Sequence, residues 1–216
     1  MNMDFKGQSI LSTSQFDRDG LLQVFETAKE MEELIKSGGN DLMKGKVMAT
    51  VFFEPSTRTR FSFETAMHRL GGSVISNADM MSTSSIKKQE TLEDTGKVLS
   101  QMADVVVVRH PQVGAVAKIA TNSDVPVMNA GDGPGQHPTQ GLLDLYTIWK
   151  EFGKIDGLKV GLIGDIKHSR VLHSEFDFLQ HFDVQFVLVS PKSLQLPDEM
   201  RHGEYRETED LSSVIE

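Results

Sequence analysis

Residues 52–72, FFEPSTRTRFSFETAMHRLGG, set Ser56, Thr57, Arg58, Thr59 and Arg60 in succession where an apolar run gives way to a helical one. The unpaired backbone N–H groups of a helix N-terminus would point into the space these side chains share, and that end of a helix attracts anions. Ser56, Thr57 and Thr59 add hydroxyl donors, and Arg58 adds a planar fork suited to phosphate. The only acidic residues nearby are Glu54 and Glu64, so an anionic ligand would complete the charge balance. The plainer alternative is an N-cap followed by two exposed arginines, Arg60 pairing with Glu64 four residues on.

Two later segments carry the same kind of group. VVVVRHPQVG puts Arg109 at a strand end with His110 beside it, and NAGDGPGQHPTQGLLDL puts His137, Thr139 and Gln140 after a glycine-rich turn. Pro138 suits the first position of the following helix, on which His137 and Gln140, three apart, would share a face. Singly, Arg109 reads as a surface ion pair and His137 as a helix cap. Taken together, strand ends that all deliver donors toward one rim suit a small substrate combining a phosphate with a polarisable carbonyl. SSIKKQE offers Ser84 and Lys88 as further phosphate ligands, although the segment also reads as a solvated basic loop. In DIKHSRVLHS, Arg170 opens a helix within pairing range of Asp165. VGLIGD holds only Gly161 and Gly164, so the GxGxxG dinucleotide pattern fails.

The elements that must position these residues follow from periodicity. Leu21, Leu22, Phe25, Ala28, Met31, Leu34 and Ile35 recur at helical spacing within 15–37, and Gly38-Gly39 ends the run. Runs rich in β-branched residues at 47–53, 73–76, 104–108 and 125–129 predict strands covered on both faces. Helical segments at 60–70, 90–102, 114–121 and 139–152 alternate with them, the pattern of an α/β fold with a parallel sheet. GKIDGLKV resets the pattern, which places one domain at 1–152 and a second, apparently incomplete α/β unit at 153–216. Strands at 159–163 and 184–189 and two helices are expected there. No internal repeat or low-complexity tract is present.

Composition narrows the classes. Of 216 residues, 38% are hydrophobic and 25% charged, and the net charge is −9 from 31 acidic and 22 basic residues. That balance argues against a general nucleic-acid surface or an anionic membrane partner and makes any basic pocket a local feature. With no cysteine, a disulfide framework, a thiolate metal site and a cysteine nucleophile are excluded. The N-terminus lacks a signal pattern and no apolar run reaches membrane-spanning length, so a cytoplasmic protein is expected.

FFEPSTRTRFSFETAMHRLGG, SSIKKQETLEDT, VVVRHPQVGA, NAGDGPGQHPTQGLLDLYTI and GLIGDIKHSRVLHS, in that order, resemble the catalytic chains of the aspartate carbamoyltransferase family over residues 1–175. The related ornithine enzymes share the STRTR turn, but typically carry HPCQ where this chain has HPTQ and lack the RHP and GDxKxxR patterns. The resemblance implies transfer of the carbamoyl group of carbamoyl phosphate to L-aspartate, the committed chemistry of pyrimidine synthesis, with no metal or organic cofactor. By it, Ser56, Thr57, Arg58 and Thr59 hold the phosphate, and Arg58 stabilises charge on the leaving group. Thr59, Arg109 and His137 polarise the carbonyl, Gln140 holds the carbamoyl nitrogen, and Arg170 binds an aspartate carboxylate. Ser84 and Lys88 would reach a neighbouring subunit's site, implying a homotrimer with shared active sites, and some relatives add a regulatory chain. The family's second domain is longer than 153–216: its aspartate-contacting loop, HPLP-type turn and terminal bridging helices have no counterpart in these residues. A chain that binds carbamoyl phosphate or assembles without turnover is therefore the alternative. Where the family usually has small apolar residues, this chain has Glu175 and Asp177, acids expected to oppose a dianionic substrate near Arg170.

Overall fold

The computed structural model describes residues 4–215. Its first helix, α1 (Arg18–Lys36), begins at Asp17, whose side chain accepts from the Gly20 N–H, and buries Leu21 and Phe25. It ends where Gly38 and Gly39 take φ of 102° and 91°, the left-handed region that admits glycine without strain.

Four parallel strands follow: β1 (Val47–Phe52), β2 (Ser73–Asn77), β3 (Val105–His110) and β4 (Val127–Asp132), in spatial order β2-β1-β3-β4. The central strands β1 and β3 are nearly uninterrupted apolar runs because helices cover both faces, and Val106, Val107 and Val108 are fully buried. Burial of each such side chain stabilises the fold by about 1.5–3 kcal/mol. Helix α2 (Thr57–Arg69) follows β1, α3 (Met80–Thr83) follows β2, α4 (Leu92–Ser100) precedes β3, α5 (Ala115–Thr121) joins β3 to β4, and α6 (Pro138–Phe152) leaves β4. Parallel strands all end on one edge, so the loops after β1, β3 and β4 leave the sheet side by side.

Boundaries shift from expectation in two places that matter. Helix α2 starts at Thr57 rather than residue 60, which puts Thr57, Arg58 and Thr59 in its first turn. Strand β3 continues to His110, so Arg109 lies within the strand, in register with Phe52 of β1.

A second parallel sheet holds β5 (Lys159–Ile163), β6 (Gln185–Val189) and β7 (Tyr205–Thr208) in that order, with α7 (Arg170–Leu179) between the first two. It departs from the expected two strands and two helices. After β6 the chain makes only short 3-10 turns at Lys192–Leu194 and Asp198–Met200, because Pro191 and Pro197 open them and Gly203, at φ 74°, follows. Strand β7 escapes a hydropathy reading because its four residues, YRET, carry a single apolar side chain.

The two sheets are tied by one core cluster in which Leu21, Phe25 and Leu145 join Ile155, Leu162, Phe176, Phe178 and Leu188. Helices α6 and α7 approach closely at Gly141, where an added Cβ would lie 3.0 Å from both the Phe178 ring and Ser174 Cβ. Among the described residues no helix is long and apolar enough to cross a membrane.

Another close approach, of α4 to α5, gives a test of packing. A Cβ on Gly96 would sit 1.9 Å from the Ile119 carbonyl oxygen, a backbone atom that cannot rotate away. Gly96→Ala is expected to lose about 1–3 kcal/mol despite alanine's better helix propensity, read as a lower urea midpoint at unchanged slope.

Candidate active site

At the carboxyl edge of the first sheet lies a cleft of about 1110 Å³. Ser56, Thr57, Arg58 and Thr59 enter from the first turn of α2, Arg109 from β3, His137 and Gln140 from the start of α6, and Arg170 from the start of α7. Phe63, Ala66 and Leu143 supply apolar wall. Ser84 and Lys88 are not among these lining residues. Ser84 borders a separate cavity beside β2, and Lys88 is exposed. A further groove, of about 830 Å³, mixes Lys167, Lys192 and Arg201 with Asp198 and Glu199, so it carries charges of both signs.

The anion end of the cleft is built from backbone as well as side chains. Ser56 is the N-cap of α2 in extended conformation, yet its hydroxyl makes no capping hydrogen bond. The first-turn N–H groups therefore lack the usual side-chain acceptor, in residues that line the cleft. Arg58 is exposed and, among the described residues, forms no ion pair. Arg60 points elsewhere: its Nη1 donates to Ser76 Oγ at 3.2 Å and its Nε lies 3.9 Å from Glu64 Oε1.

Glu54 is the residue that sequence reasoning passed over. Its Oε1 accepts from Arg109 Nε at 2.7 Å and from Arg170 Nη2 at 2.7 Å, joining β3 to α7 through one carboxylate oxygen. Arg170 is not paired with Asp165, which instead meets His168; its second terminal nitrogen donates to the Gly133 carbonyl at 2.8 Å. Burial pushes the Glu54 carboxyl up, but its bonds and attraction to Arg170 and Arg109 outweigh burial and hold it below the usual carboxylate range. A sequence signal did exist: Glu54 lies two residues before the STRTR turn at the same strand end.

His137 is 4% exposed. Its backbone N–H donates to Ser174 Oγ at 2.9 Å, the Ser174 hydroxyl donates to the Arg170 carbonyl at 3.0 Å, and the ring Nδ1 lies 3.3 Å from Thr139 Oγ1. Burial first, then the nearby charges of Arg109 and Arg170, lower its pKa to about 4. The ring is neutral at pH 7, with one N–H to donate and too little basicity to act as a general base. His110, by contrast, is a core histidine whose ring lies 4.6 Å from that of Phe53 at a tilt of 52°, its Nδ1 accepting from the Gln112 N–H.

Neither acid expected to oppose substrate lines the cleft. Glu175 packs against Asp144, and burial followed by that neighbour raises its pKa to about 8, so it is mostly neutral at pH 7. Asp177 Oδ2 accepts from Thr13 Oγ1 at 2.7 Å and Gln136 Nε2 at 3.0 Å, fixing the loop that leads into His137.

Residues 8–150 match the family model described as aspartate/ornithine carbamoyltransferase, carbamoyl-P binding domain. The aspartate carbamoyltransferase catalytic subunit of Thermococcus kodakarensis is 50% identical over 99% of this chain and 71% of its own length. The chain belongs to the aspartate carbamoyltransferase family. The chloroplastic family member of Pisum sativum is 44% identical over 97% of this chain, which spans 56% of the pea protein. Among solved members, Trypanosoma cruzi aspartate transcarbamoylase in complex with carbamoyl phosphate superposes with a TM-score of 0.90 at 39% identity, over 96% of this chain and 68% of that one. The catalytic subunit from M. jannaschii gives 0.89 at 44% identity, over 96% and 70%.

Two outcomes follow from the charges. Glu54→Gln leaves Arg109 and Arg170 without a counter-charge and should cost about 1–3 kcal/mol, less than a fully buried pair because all three side chains keep some solvent contact. Inorganic phosphate should then raise the melting temperature of the variant more than that of the parent, as calorimetry would show. For His137, a folded pKa near 4 against 6.5 unfolded means the unfolded chain binds the extra proton, so its contribution to stability is lost as pH falls from about 6.5 toward 4. Nitrogen NMR should find this ring neutral down to about pH 5, and a midpoint above 6 would overturn the assignment.

Proposed function

We propose that this chain transfers the carbamoyl group of carbamoyl phosphate to the amino group of L-aspartate, giving N-carbamoyl-L-aspartate and phosphate. The observation that carries the reading is the convergence of groups in one cleft: the α2 N-terminus with Arg58, and Arg109, His137, Gln140 and Arg170 from other elements. A phosphate, a carbonyl and a carboxylate would each meet donors of fitting type.

In this reading Ser56, Thr57, Arg58 and Thr59 bind the phosphate, and Arg58 takes up the charge that grows as the C–O bond breaks. Thr59, Arg109 and neutral His137 donate to the carbonyl oxygen, which becomes an oxyanion when the aspartate nitrogen bonds to carbon. Gln140 holds the carbamoyl nitrogen, and Arg170 holds a carboxylate of aspartate. The attacking amine and the leaving phosphate both belong to substrates, so no protein nucleophile is needed. At 50% identity with an aspartate enzyme, the ornithine alternative gives way.

We assign residues 1–152 to carbamoyl-phosphate binding and 153–216 to the aspartate side. The exposed position of Lys88, outside its own cleft, fits delivery of Ser84 and Lys88 to a neighbouring subunit in a homotrimer. A second reading, binding without turnover, draws on the second sheet, whose edge strand β5 leaves Ile163 53% exposed.

Calorimetric titration with carbamoyl phosphate, followed by L-aspartate and a phosphate-release assay on the same sample, separates the two. The transferase reading expects saturable binding and turnover, with Arg58→Ala abolishing measurable binding. His137→Ala should keep binding while losing on the order of a hundredfold or more in turnover, the usual cost of one oxyanion donor. Binding without turnover selects the second reading, and a folded chain that binds nothing overturns both.

A further inference from the structure

Three side chains on one face of α7 reach across to the loop that leads into His137. Arg170, Ser174 and Asp177 are spaced four and three residues apart, which sets them in a row along the helix. Arg170 donates to the Gly133 carbonyl, and the Ser174 hydroxyl accepts from the His137 N–H. Asp177 takes Gln136: its Oδ2 accepts from Gln136 Nε2 at 3.0 Å and from Thr13 Oγ1 at 2.7 Å. The same Gln136 nitrogen also donates to Thr13 Oγ1 at 2.8 Å, and Gln136 Oε1 accepts from the Thr13 N–H at 3.0 Å. The three side chains therefore close a ring: amide to hydroxyl, hydroxyl to carboxylate, and amide to carboxylate. Thr13 is 3% exposed, so a bond lost from its hydroxyl is not readily replaced by water. The ring joins the N-terminal segment, the loop after β4 and the second unit, whose members stand 123 and 41 residues from Gln136.

We propose that Asp177 is a positioning residue for His137, holding Gln136 through this ring so that the imidazole of the next residue keeps its place in the cleft. The inference rests on the reading above, in which His137 donates to the carbonyl oxygen. The Gln136 carbonyl accepts from the Asp132 N–H at 3.1 Å, so its main chain is held from the end of β4 while its side chain is held from α7. A residue gripped on both sides has little freedom to turn, and the His137 N–H is thereby presented to Ser174. Without Asp177 that last bond would hold the loop alone at this point.

What Asp177 supplies to the ring is an acceptor oxygen rather than a charge, because Thr13 and Gln136 are neutral donors. Its other oxygen faces His202 Nε2 at 3.7 Å. His202 Nδ1 meets the Met200 carbonyl at 2.8 Å and so carries a hydrogen, which in a neutral ring leaves Nε2 an acceptor. An asparagine at this position can therefore turn its oxygen to Thr13 and Gln136 and its amide nitrogen to His202, keeping the ring closed. Alanine removes the acceptor altogether.

The test compares Asp177→Ala, Asp177→Asn and Thr13→Val in the full chain. With ¹⁵N-labelled histidine and no ligand, the His137 ring resonances are expected to shift in Asp177→Ala and Thr13→Val and to keep the parent's values in Asp177→Asn. In the phosphate-release assay, kcat should fall about tenfold in Asp177→Ala while the KM for carbamoyl phosphate stays within about twofold, because the phosphate donors sit on α2, outside the ring. Asp177→Asn should bring kcat back to within about twofold of the parent. Thr13→Val combined with Asp177→Ala should lose little more than the larger single loss, since both break one ring. His137 resonances that ignore both Asp177→Ala and Thr13→Val, or an Asp177→Asn as impaired as Asp177→Ala, overturn the proposal. Resonances that move as expected in a chain whose parent shows no turnover keep the positioning role and remove the transferase reading instead. Should Asp177→Ala fail to fold, Thr13→Val, which keeps the shape of its side chain, decides by the same resonances.

Discussion

The cleft depends on one carboxylate oxygen. Glu54 Oε1 takes a hydrogen bond from Arg109 and another from Arg170, each at 2.7 Å, and these three side chains come from a strand end, the neighbouring strand and a helix attached to the second sheet. Without that oxygen, two guanidinium groups would face each other in a partly desolvated space, and their repulsion would push α7 away from β3. Glu54 therefore sets the relative placement of the two groups of residues that line the cleft. The apolar contact beneath it, Gly141 against Phe178, permits that placement but carries no information about charge.

The remaining donors follow from topology. In a parallel sheet every strand delivers its carboxyl end to the same edge, so a residue type repeated at several strand ends converges without any long-range instruction in the sequence. Arg109 sits in the last pair of residues of β3, the STRTR turn opens the helix after β1, and His137 caps the helix after β4. Pro138 at the first helical position and the Ser174 hydroxyl on the His137 N–H fix where that last helix starts. The depressed basicity of His137 is then a consequence of placement: burial and two neighbouring arginines favour the neutral ring.

What was legible in the sequence was what local rules determine. Apolar runs marked the strands of the first sheet, and the hydroxyl-arginine turn after β1 marked the anion end of the cleft, because helix N-termini act on the residues beside them. Glu54 was not legible as a bridge, since its partners lie 55 and 116 residues away and nothing local distinguishes it from a surface glutamate. Glu175 and Asp177 were misread for the same reason. Near Arg170 in sequence, they are directed by helical periodicity toward Asp144 and Gln136 and away from the cleft. Strand β7 was missed because it is held by pairing to β6 rather than by hydrophobic pattern.

The hydrogen-bond arithmetic of the two arginines limits what each can offer a ligand. A guanidinium has five N–H donors. Arg109 gives only its Nε–H to Glu54, so both terminal amino groups remain for an oxygen in the cleft, a geometry that suits a developing oxyanion. Arg170 has already committed one hydrogen of Nη2 to Glu54 and one of Nη1 to the Gly133 carbonyl. It is left with Nε–H and one hydrogen on each terminal nitrogen, which allows one carboxylate to be gripped without breaking the bridge. Because Glu54 offsets part of the positive charge, an anion arriving in the cleft meets two cations sharing one counter-charge. The attraction is reduced, but the donors are already aimed, and an aligned donor that need not move during the reaction contributes more to a transition state than a free charge does.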